Sequence, residues 1–462
     1  MKGIFPSGGS APGALYEVTD VVLPEERLAQ LHGAELDAPQ PASRGDTHSV
    51  RIAGWAIGRD NPVRAVEVTH GGRVLRLLRS LGPRPEVAGR FEGVPEDAGC
   101  SFDATVGLVG LGRECELTVR ARLPRGERAL IGAVRLRRVP VESGFEPAIQ
   151  PLMMTALGRS GSSWMMQILA SLPRVSVYSQ FPYESKIAQY WLHVLRVLSK
   201  PANPDDSTNV AFEYNDWWAG ANPYNDQLQV AEPRLREWLG RAYVDRLAAF
   251  CQSNIESWYA AVAEERGTAS EPPAVYFAEK FVPSALQGVA WEIYPNAKEI
   301  VLVRDFRDMA RSVLAFDEKR GFFGFGRRSD ESEESYIATM RTAALGLAAA
   351  WRDRGDRSHL VRYEDLVFRP EETMSELLAY LELGKAAAAG ADPAAAAAAD
   401  EAAVRMHRTS PDAAASVGRW RTDLGEPLKA VCQEAFGDVL EQFGYSEDGY
   451  VPGKLETSPT GE

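Results

Sequence analysis

Residues 151–169 read PLMMTALGRSGSSWMMQIL, and the texture of the sequence changes twice within them. An apolar run suited to a buried strand ends at Gly158, and an amphipathic helical pattern begins at Ser163. Between them Arg159, Ser160, Gly161 and Ser162 make a strand-to-helix turn of small and hydroxyl-bearing residues. Glycine lets backbone approach a ligand closely, while the free amides and positive dipole end of the next helix favour an anion. Phosphate is the natural guest of such a turn. A plain turn capped by serine would look the same in isolation, so the rest of the chain has to decide.

Working outward, strand-like runs at 151–157, 275–278, 299–303 and 360–363 alternate with helical patterns. The helical patterns fall at 163–172, 186–198, 234–263, 283–293, 307–316, 334–352, 371–381 and 427–443. This alternation predicts an α/β domain over 149–446, a central parallel sheet in a P-loop-like three-layer arrangement, with 447–462 as a tail. Residues 46–140 carry short alternating runs instead, such as SVRIAGWAIG at 49–58 and CELTVRARL at 115–123, and predict a small all-β sandwich. Residues 1–45 read as a leader and connector with a short helical pattern at 23–31. Arginine alternates with apolar residues in several sandwich strands, which marks either one solvated face or a basic groove for a glycan or anionic partner. The alanine-rich stretch 384–403 carries no visible chemistry.

Acidic residues number 64 against 51 basic, a net charge of −13, which argues against broad nucleic-acid or anionic-membrane binding. A small anion needs only a local cluster of arginines. No apolar run approaches the roughly twenty residues of a membrane span, and the first residues do not read as a secretory signal, which points to a cytoplasmic protein without a transmembrane segment. The four cysteines, Cys100, Cys115, Cys251 and Cys432, form no CxxC pair, so neither a zinc site nor a disulfide framework is expected. Oligomeric state is not legible.

A second stretch supports the anion reading. In KEIVLVRDFRDMARSVLAF, residues 298–316, Arg304 terminates an apolar strand and Ser312 lies about two turns into the next helix. Both then face the carboxyl edge of the sheet, where open α/β folds bind ligands, and an arginine there grips phosphate bidentately. Taken alone, Arg304 would be read as the partner of Asp305 or Asp308.

The two stretches resemble the sulfotransferase family that uses 3′-phosphoadenosine-5′-phosphosulfate (PAPS). Its 5′-phosphosulfate loop, PKSGTTW or PRSGTTW, is similar to GRSGSSW at 158–164, and its paired arginine and serine are similar to Arg304 and Ser312. The resemblance covers about 149–446. It implies that Ser160, Gly161, Ser162 and Ser163 hold the 5′-phosphosulfate and that Trp164 packs on adenine. Arg304 and Ser312 would hold the 3′-phosphate, the product would be 3′,5′-diphosphoadenosine, and no metal is called for. HRTSPDAAASVGRW, 407–420, is similar in part to the family's late nucleotide loop, RKGxxGDW, which adds Ser416 and Arg419. The turn is not the GxxxxGK[ST] loop of a nucleoside triphosphatase, since Ser162 stands where its lysine would be. A donor with one 5′-phosphate bearing a sulfuryl group needs instead a cation near the bridging oxygen, and Arg159 is placed to supply it.

Sulfuryl transfer to a hydroxyl, or less readily an amine, needs a base. Glu184, in VYSQFPYESKIAQYW at 177–191, is the first candidate, because cover from Phe181, Tyr183 and Tyr190 would strengthen it. Its position is similar to that of the catalytic glutamate of bacterial members. Glu279, His193 and His407 are the other candidates, and Lys280 is read as a stabiliser of the transferring oxygens. The acceptor is read as a small molecule or glycan. FEYNDWWAGANPYNDQ, 212–227, has the composition of a sugar-stacking surface or of aromatic packing under a loop, and FDEKRGFFGFGRR, 316–328, that of a mobile lid. A nucleotide or sugar kinase and a non-catalytic glycan-binding protein are the alternatives.

Overall fold

The computed structural model describes residues 13–24, 30–79, 81–199, 233–265, 273–384 and 408–453. The chain divides into two compact units. The first comprises Met1–Glu146, Tyr190–Ser253 and Gly288–Ile293, and the second Pro147–Gln189, Asn254–Gln287 and Tyr294–Glu462.

The first unit begins with β1 (Tyr16–Val22), β2 (Leu31–Ala38), β3 (Arg44–Gly45), β4 (Ser49–Gly58), β5 (Ala65–His70), β6 (Arg73–Leu78) and β7 (Gly82–Pro83). A short α1 (Pro85–Ala88) precedes β8 (Gly99–Gly107), β9 (Glu114–Arg122) and β10 (Arg128–Arg138). Six strands in the order β3-β1-β10-β9-β5-β6 form one antiparallel sheet, and β2-β4-β8-β7 form another. Val18, Leu117 and Val134 of the first sheet meet Val50, Ile52 and Val106 of the second in one core, so this unit contains the expected sandwich. The leader expected over 1–45 is corrected. Tyr16–Val22 pairs along β10, and Leu31, placed in a helical pattern, opens strand β2. Flanking glycines and prolines hid the two-residue alternation of YEVTDVV. Exposed paired carboxylates favour the solvated-face reading of these arginines: Arg51 meets Asp103, and Arg135 meets Glu116 at 2.9 Å.

The second unit contains the expected parallel sheet. Its strands are β11 (Gln150–Ala156), β12 (Val175–Val177), β13 (Tyr276–Phe281), β14 (Lys298–Val303) and β15 (Ser358–Arg362), in the order β12-β13-β11-β14-β15. The helices that follow in the chain, of which α4 belongs to the first unit and α3, α5 and α6 cross the unit boundaries, are α2 (Ser162–Ser171), α3 (Ile187–Leu198), α4 (Pro233–Glu237), α5 (Tyr243–Glu265), α6 (Leu286–Ile293), α7 (Phe306–Arg320), α8 (Glu333–Arg354), α9 (Tyr363–Phe368), α10 (Pro370–Tyr380), α11 (Trp420–Asp423) and α12 (Glu426–Glu441). A π-helical turn at Trp238–Ala242 interrupts what reads as one helix over 234–263. Both faces of the sheet are buried, as parallel sheets require. Ile300 and Leu302 of β14 pack with Met165 and Leu169 of α2 and Leu377 of α10, whereas Val301 and Val303 pack with Val313, Leu347 and Phe436 on α7, α8 and α12.

After β11 the chain runs to β12 on one side of the sheet, and after β14 it runs to β15 on the other. The neighbouring carboxyl ends of β11 and β14 therefore form the switch point at which such sheets bind ligands. Residues 447–453, expected as tail, are part of the unit: Tyr445–Ser446 pairs with Gly449–Tyr450, and Arg362 donates to the carbonyls of Gly444, Val451 and Gly453.

Within the first unit, Arg138 at the end of β10 is buried against Glu292, which also accepts the Val141 amide at 2.8 Å. Breaking a buried pair from one side leaves an uncompensated charge. Glu292→Gln is expected to cost about 3–5 kcal/mol, read as a shift of the urea midpoint; an unmoved midpoint would show that Arg138 finds another anion.

Candidate functional site

Equal register sets the geometry of the switch point. Ala156 of β11 lies opposite Leu302 of β14, so Gly158 and Arg304, each two residues further on, emerge side by side. The turn after β11 is held open by two left-handed residues, Arg159 at φ 68° and Gly161 at φ 92°. A Cβ on Gly161 would lie 2.4 Å from Tyr363 Cδ2, and one on Gly158 would lie 2.6 Å from the Phe325 ring. Gly161 caps α2 without any side-chain acceptor, which leaves the first-turn amides of Ser162, Ser163 and Trp164 outside the helix's own bonding. They border a cavity of about 820 Å³, a normal size for a small-molecule site.

Arg304 lies along another wall of the cavity, 5% exposed. Its guanidinium donates to the carbonyls of Arg159 at 3.2 Å and Ser416 at 2.6 Å and stacks over Tyr363 at 4.6 Å, while its Nε has no partner. Among the described residues it makes no ion pair. Asp305, a candidate partner, is taken by Arg307 at 2.8 Å, and Asp308 accepts the Gly418 and Trp420 amides at 2.6 and 2.9 Å. Arg159 donates its Nε–H to Ser312 Oγ at 3.0 Å and reaches Thr409 at 3.4 Å, with its guanidinium over Phe316 at 4.9 Å. Burial, followed by the charges of Arg304 and Arg419, pushes the Arg159 guanidinium down to about 10. A crowd of buried cations with few close anions favours an anionic guest.

Lys280 lies on the Ser163 side, donating to Ser163 Oγ at 3.0 Å and to the Pro182 carbonyl and reaching Glu184 at 3.5 Å. Burial lowers its pKa, opposed by Glu184. Glu184 is 29% exposed, and its other oxygen meets Lys186 at 3.1 Å. Of the aromatic residues expected to cover it, Tyr190 is exposed while Tyr183 is buried, and its charged partners are Lys186 and Lys280. Glu184 is flanked by two strained residues, Tyr183 at φ 65° and Lys186 at φ 54°.

The structure thus brings Arg159, Gly161, Ser162, Ser163, Trp164, Glu184, Lys280, Arg304, Ser312 and Ser416 around one cavity. Ser160 is buried off it, with its hydroxyl unpartnered, and Arg419 lies outside, holding Thr409 by its carbonyl at 2.8 Å and Asp423 at 2.9 Å. Glu279 does not line the cavity. The strand expected to end at 278 runs to Phe281, so the two-residue alternation turns Glu279 away from Lys280's face. Its carboxylate accepts the Ile187 and Ala188 amides at 2.8 and 3.0 Å, the Ser185 hydroxyl and the Tyr259 hydroxyl at 3.1 Å, and so caps α3. His193 is exposed and outside the cavity lining; His407 and the 212–227 stretch fall outside the described residues. The stretch expected to be a lid is tied down: α7 runs on to Arg320, and Asp317 accepts the Gly324 amide at 2.9 Å and meets Arg327 at 3.3 Å. Tyr363, Thr409 and Asp308 were missed. Tyr363 follows the last strand directly, so its place at the carboxyl edge was a usable signal.

A parallel α/β unit with an anion cradle at its switch point and a carboxylate–lysine pair beside it is built as a group-transfer site. The chain belongs to the sulfotransferase family: the model described as "Sulfotransferase family" matches residues 151–386. Solved structures with similarity include a sulfotransferase domain from the curacin biosynthetic pathway, 16% identical, covering 64% of this chain and 99% of that one, with a TM-score of 0.32. Sulfotransferase STF9 from Mycobacterium avium is 13% identical, covering 66% and 79%, with a TM-score of 0.32. Sulfotransferase STF1 from Mycobacterium tuberculosis H37Rv is 14% identical, covering 63% and 77%, with a TM-score of 0.29. No curated protein matches the chain. Among the described residues no helix is long and apolar enough to cross a membrane.

Behind Arg304 lies Glu364, wholly buried, accepting the Asp305 amide at 3.1 Å and the Tyr445 hydroxyl at 2.6 Å. Burial pushes its carboxyl up to about 7. An unfolded glutamate titrates near ~4.3, so between the two values the folded chain binds the extra proton and its stability falls as pH rises. From pH 5.5 to 8.0 this one group is expected to remove about 2 kcal/mol of stability. Urea unfolding of Glu364→Gln should show a correspondingly smaller loss over that interval than the unaltered chain, and equal losses would contradict the assignment.

Proposed function

We propose that the second unit transfers a sulfuryl group from PAPS to an acceptor hydroxyl, with an amine as the lesser substrate. One observation carries this reading: Arg304 is buried at the cavity wall, bonded to two carbonyls, with Ser312 nearby and no carboxylate in ion-pair range among the described residues. Such a group suits a dianionic phosphate. The fit to PAPS rests on two anion receptors around one cavity, the Gly161–Ser163 turn and the Arg304–Ser312 pair, with the edge-to-face rings of Trp164 and Tyr363 beside them at 5.5 Å.

In this reading the amides of Ser162 and Ser163 hold the 5′-phosphosulfate, Arg304, Ser312 and Ser416 hold the 3′-phosphate, and Trp164 with Tyr363 receives adenine. PAPS supplies an activated sulfuryl group and leaves as 3′,5′-diphosphoadenosine. Glu184 takes the acceptor's proton as the new sulfur–oxygen bond forms and the bond to the 5′-phosphate breaks. Lys280, bonded to both Ser163 and Glu184, orients that carboxylate and stabilises charge on the transferring oxygens. Arg159 balances the leaving diphosphate, and Arg419 positions Thr409. A carbohydrate or glycolipid acceptor is the preferred class, on the composition of 212–227.

Transfer of labelled sulfate from PAPS, screened over glycans, glycolipids and phenols, tests the reading. Glu184→Gln is expected to lower kcat about 10²–10⁴-fold with 3′,5′-diphosphoadenosine binding intact. Full activity in that variant would remove Glu184 from the mechanism, and ATP consumption without PAPS turnover would replace the reading by a kinase.

A further inference from the structure

Arg320, the last residue of α7, lines the cavity and has no role in the scheme above. It stacks over Phe316 at 5.0 Å and Phe322 at 4.2 Å. Among the described residues it has no hydrogen bond and no ion pair, although two acids share its helical turn. Asp317 is engaged by the Gly324 amide and Arg327, and Glu318 meets Arg311 at 3.5 Å. Arg320 is exposed where it lines the cavity, and no carboxylate pairs with it there among the described residues.

Arg320 is also held in place. Phe316, the ring beneath it, is buried and carries Arg159 at 4.9 Å as well, so both guanidinium groups share one aromatic support. The segment that follows is pinned by Asp317 and by the Tyr336 hydroxyl, which donates to the Phe325 carbonyl at 3.1 Å. An arginine stacked over aromatic rings keeps its planar fork free for an oxyanion and loses little freedom on binding one. The donor's two anionic ends already have receptors at the Gly161–Ser163 turn and at Arg304 with Ser312.

We propose that Arg320 is the specificity-determining residue of the acceptor subsite, and that the preferred acceptor carries an oxyanion such as a carboxylate apart from the hydroxyl that is sulfated. This rests on the PAPS reading of the same cavity. Phe325, exposed on the lining of the same cavity, offers the apolar face against which the acceptor body packs.

The test uses the full chain saturated with 3′,5′-diphosphoadenosine. It is titrated calorimetrically with matched pairs: 4-hydroxyphenylacetate against 4-hydroxyphenylacetamide, and methyl β-glucuronoside against methyl β-glucoside. In at least one pair the anionic member should bind about tenfold more tightly. Arg320→Gln should abolish the difference, Arg320→Lys should keep part of it, and neither should change the affinity for 3′,5′-diphosphoadenosine. The proposal is overturned by a preference that survives in Arg320→Gln, by equal or absent binding within both pairs, or by a loss of donor affinity in the variant, which would assign Arg320 to the donor. Failure of the unaltered chain to bind 3′,5′-diphosphoadenosine at all would instead overturn the donor reading, and this proposal with it.

Discussion

A buried guanidinium without a carboxylate is costly, and the second unit is organised around one such group. Arg304 lies at the end of a central strand, and among the described residues its close partners are two carbonyls and a tyrosine ring, with no ion pair. The acids that would ordinarily neutralise it are diverted. Asp305 holds Arg307, Asp308 holds the backbone of the 418–420 segment, and Glu364 is pushed toward its neutral form by burial. In the reading proposed above this arrangement reserves the cation for an anionic guest, and the burial of Glu364 makes stability depend on pH.

Backbone strain is concentrated in the same place. Among the described residues, seven that are not glycine have positive φ, and four of them, Arg159, Tyr183, Lys186 and Phe325, lie on or beside the cavity. Each such conformation costs of the order of 1–3 kcal/mol, and the surrounding structure has to impose it. Here the imposing contacts are visible. Glu279 clamps the start of α3 and so fixes the chain around Glu184, while Asp317 and Tyr336 fix the chain around Phe325.

Much of this was legible in the sequence, for identifiable reasons. The period of apolar residues revealed the strands of the parallel sheet except Val175–Val177, which is too short to show a period, and the turn at 158–163 marked itself by composition. Arg304 and Ser312 were legible because a strand end and a position about two turns into the next helix place them by simple geometry. Glu279 was misplaced beside Lys280, because the strand was read three residues short and the alternation that separates their faces was lost. The roles of Asp308 and Thr409 depend on contacts between segments far apart in the chain, which no local pattern encodes. The strand at Tyr16–Val22 was hidden by its glycine- and proline-rich flanks, and its partner lies more than a hundred residues away.

The central claim is that Arg304 is kept for a 3′-phosphate. It is tested most directly by comparing, in one calorimetric series, the affinities of the unaltered chain and of Arg304→Gln for 3′,5′-diphosphoadenosine and for 5′-AMP, which lacks the 3′-phosphate. The account predicts that the unaltered chain prefers the diphosphate by about tenfold or more and that the variant loses that preference while still binding 5′-AMP. Equal affinity of the unaltered chain for the two nucleotides would contradict it.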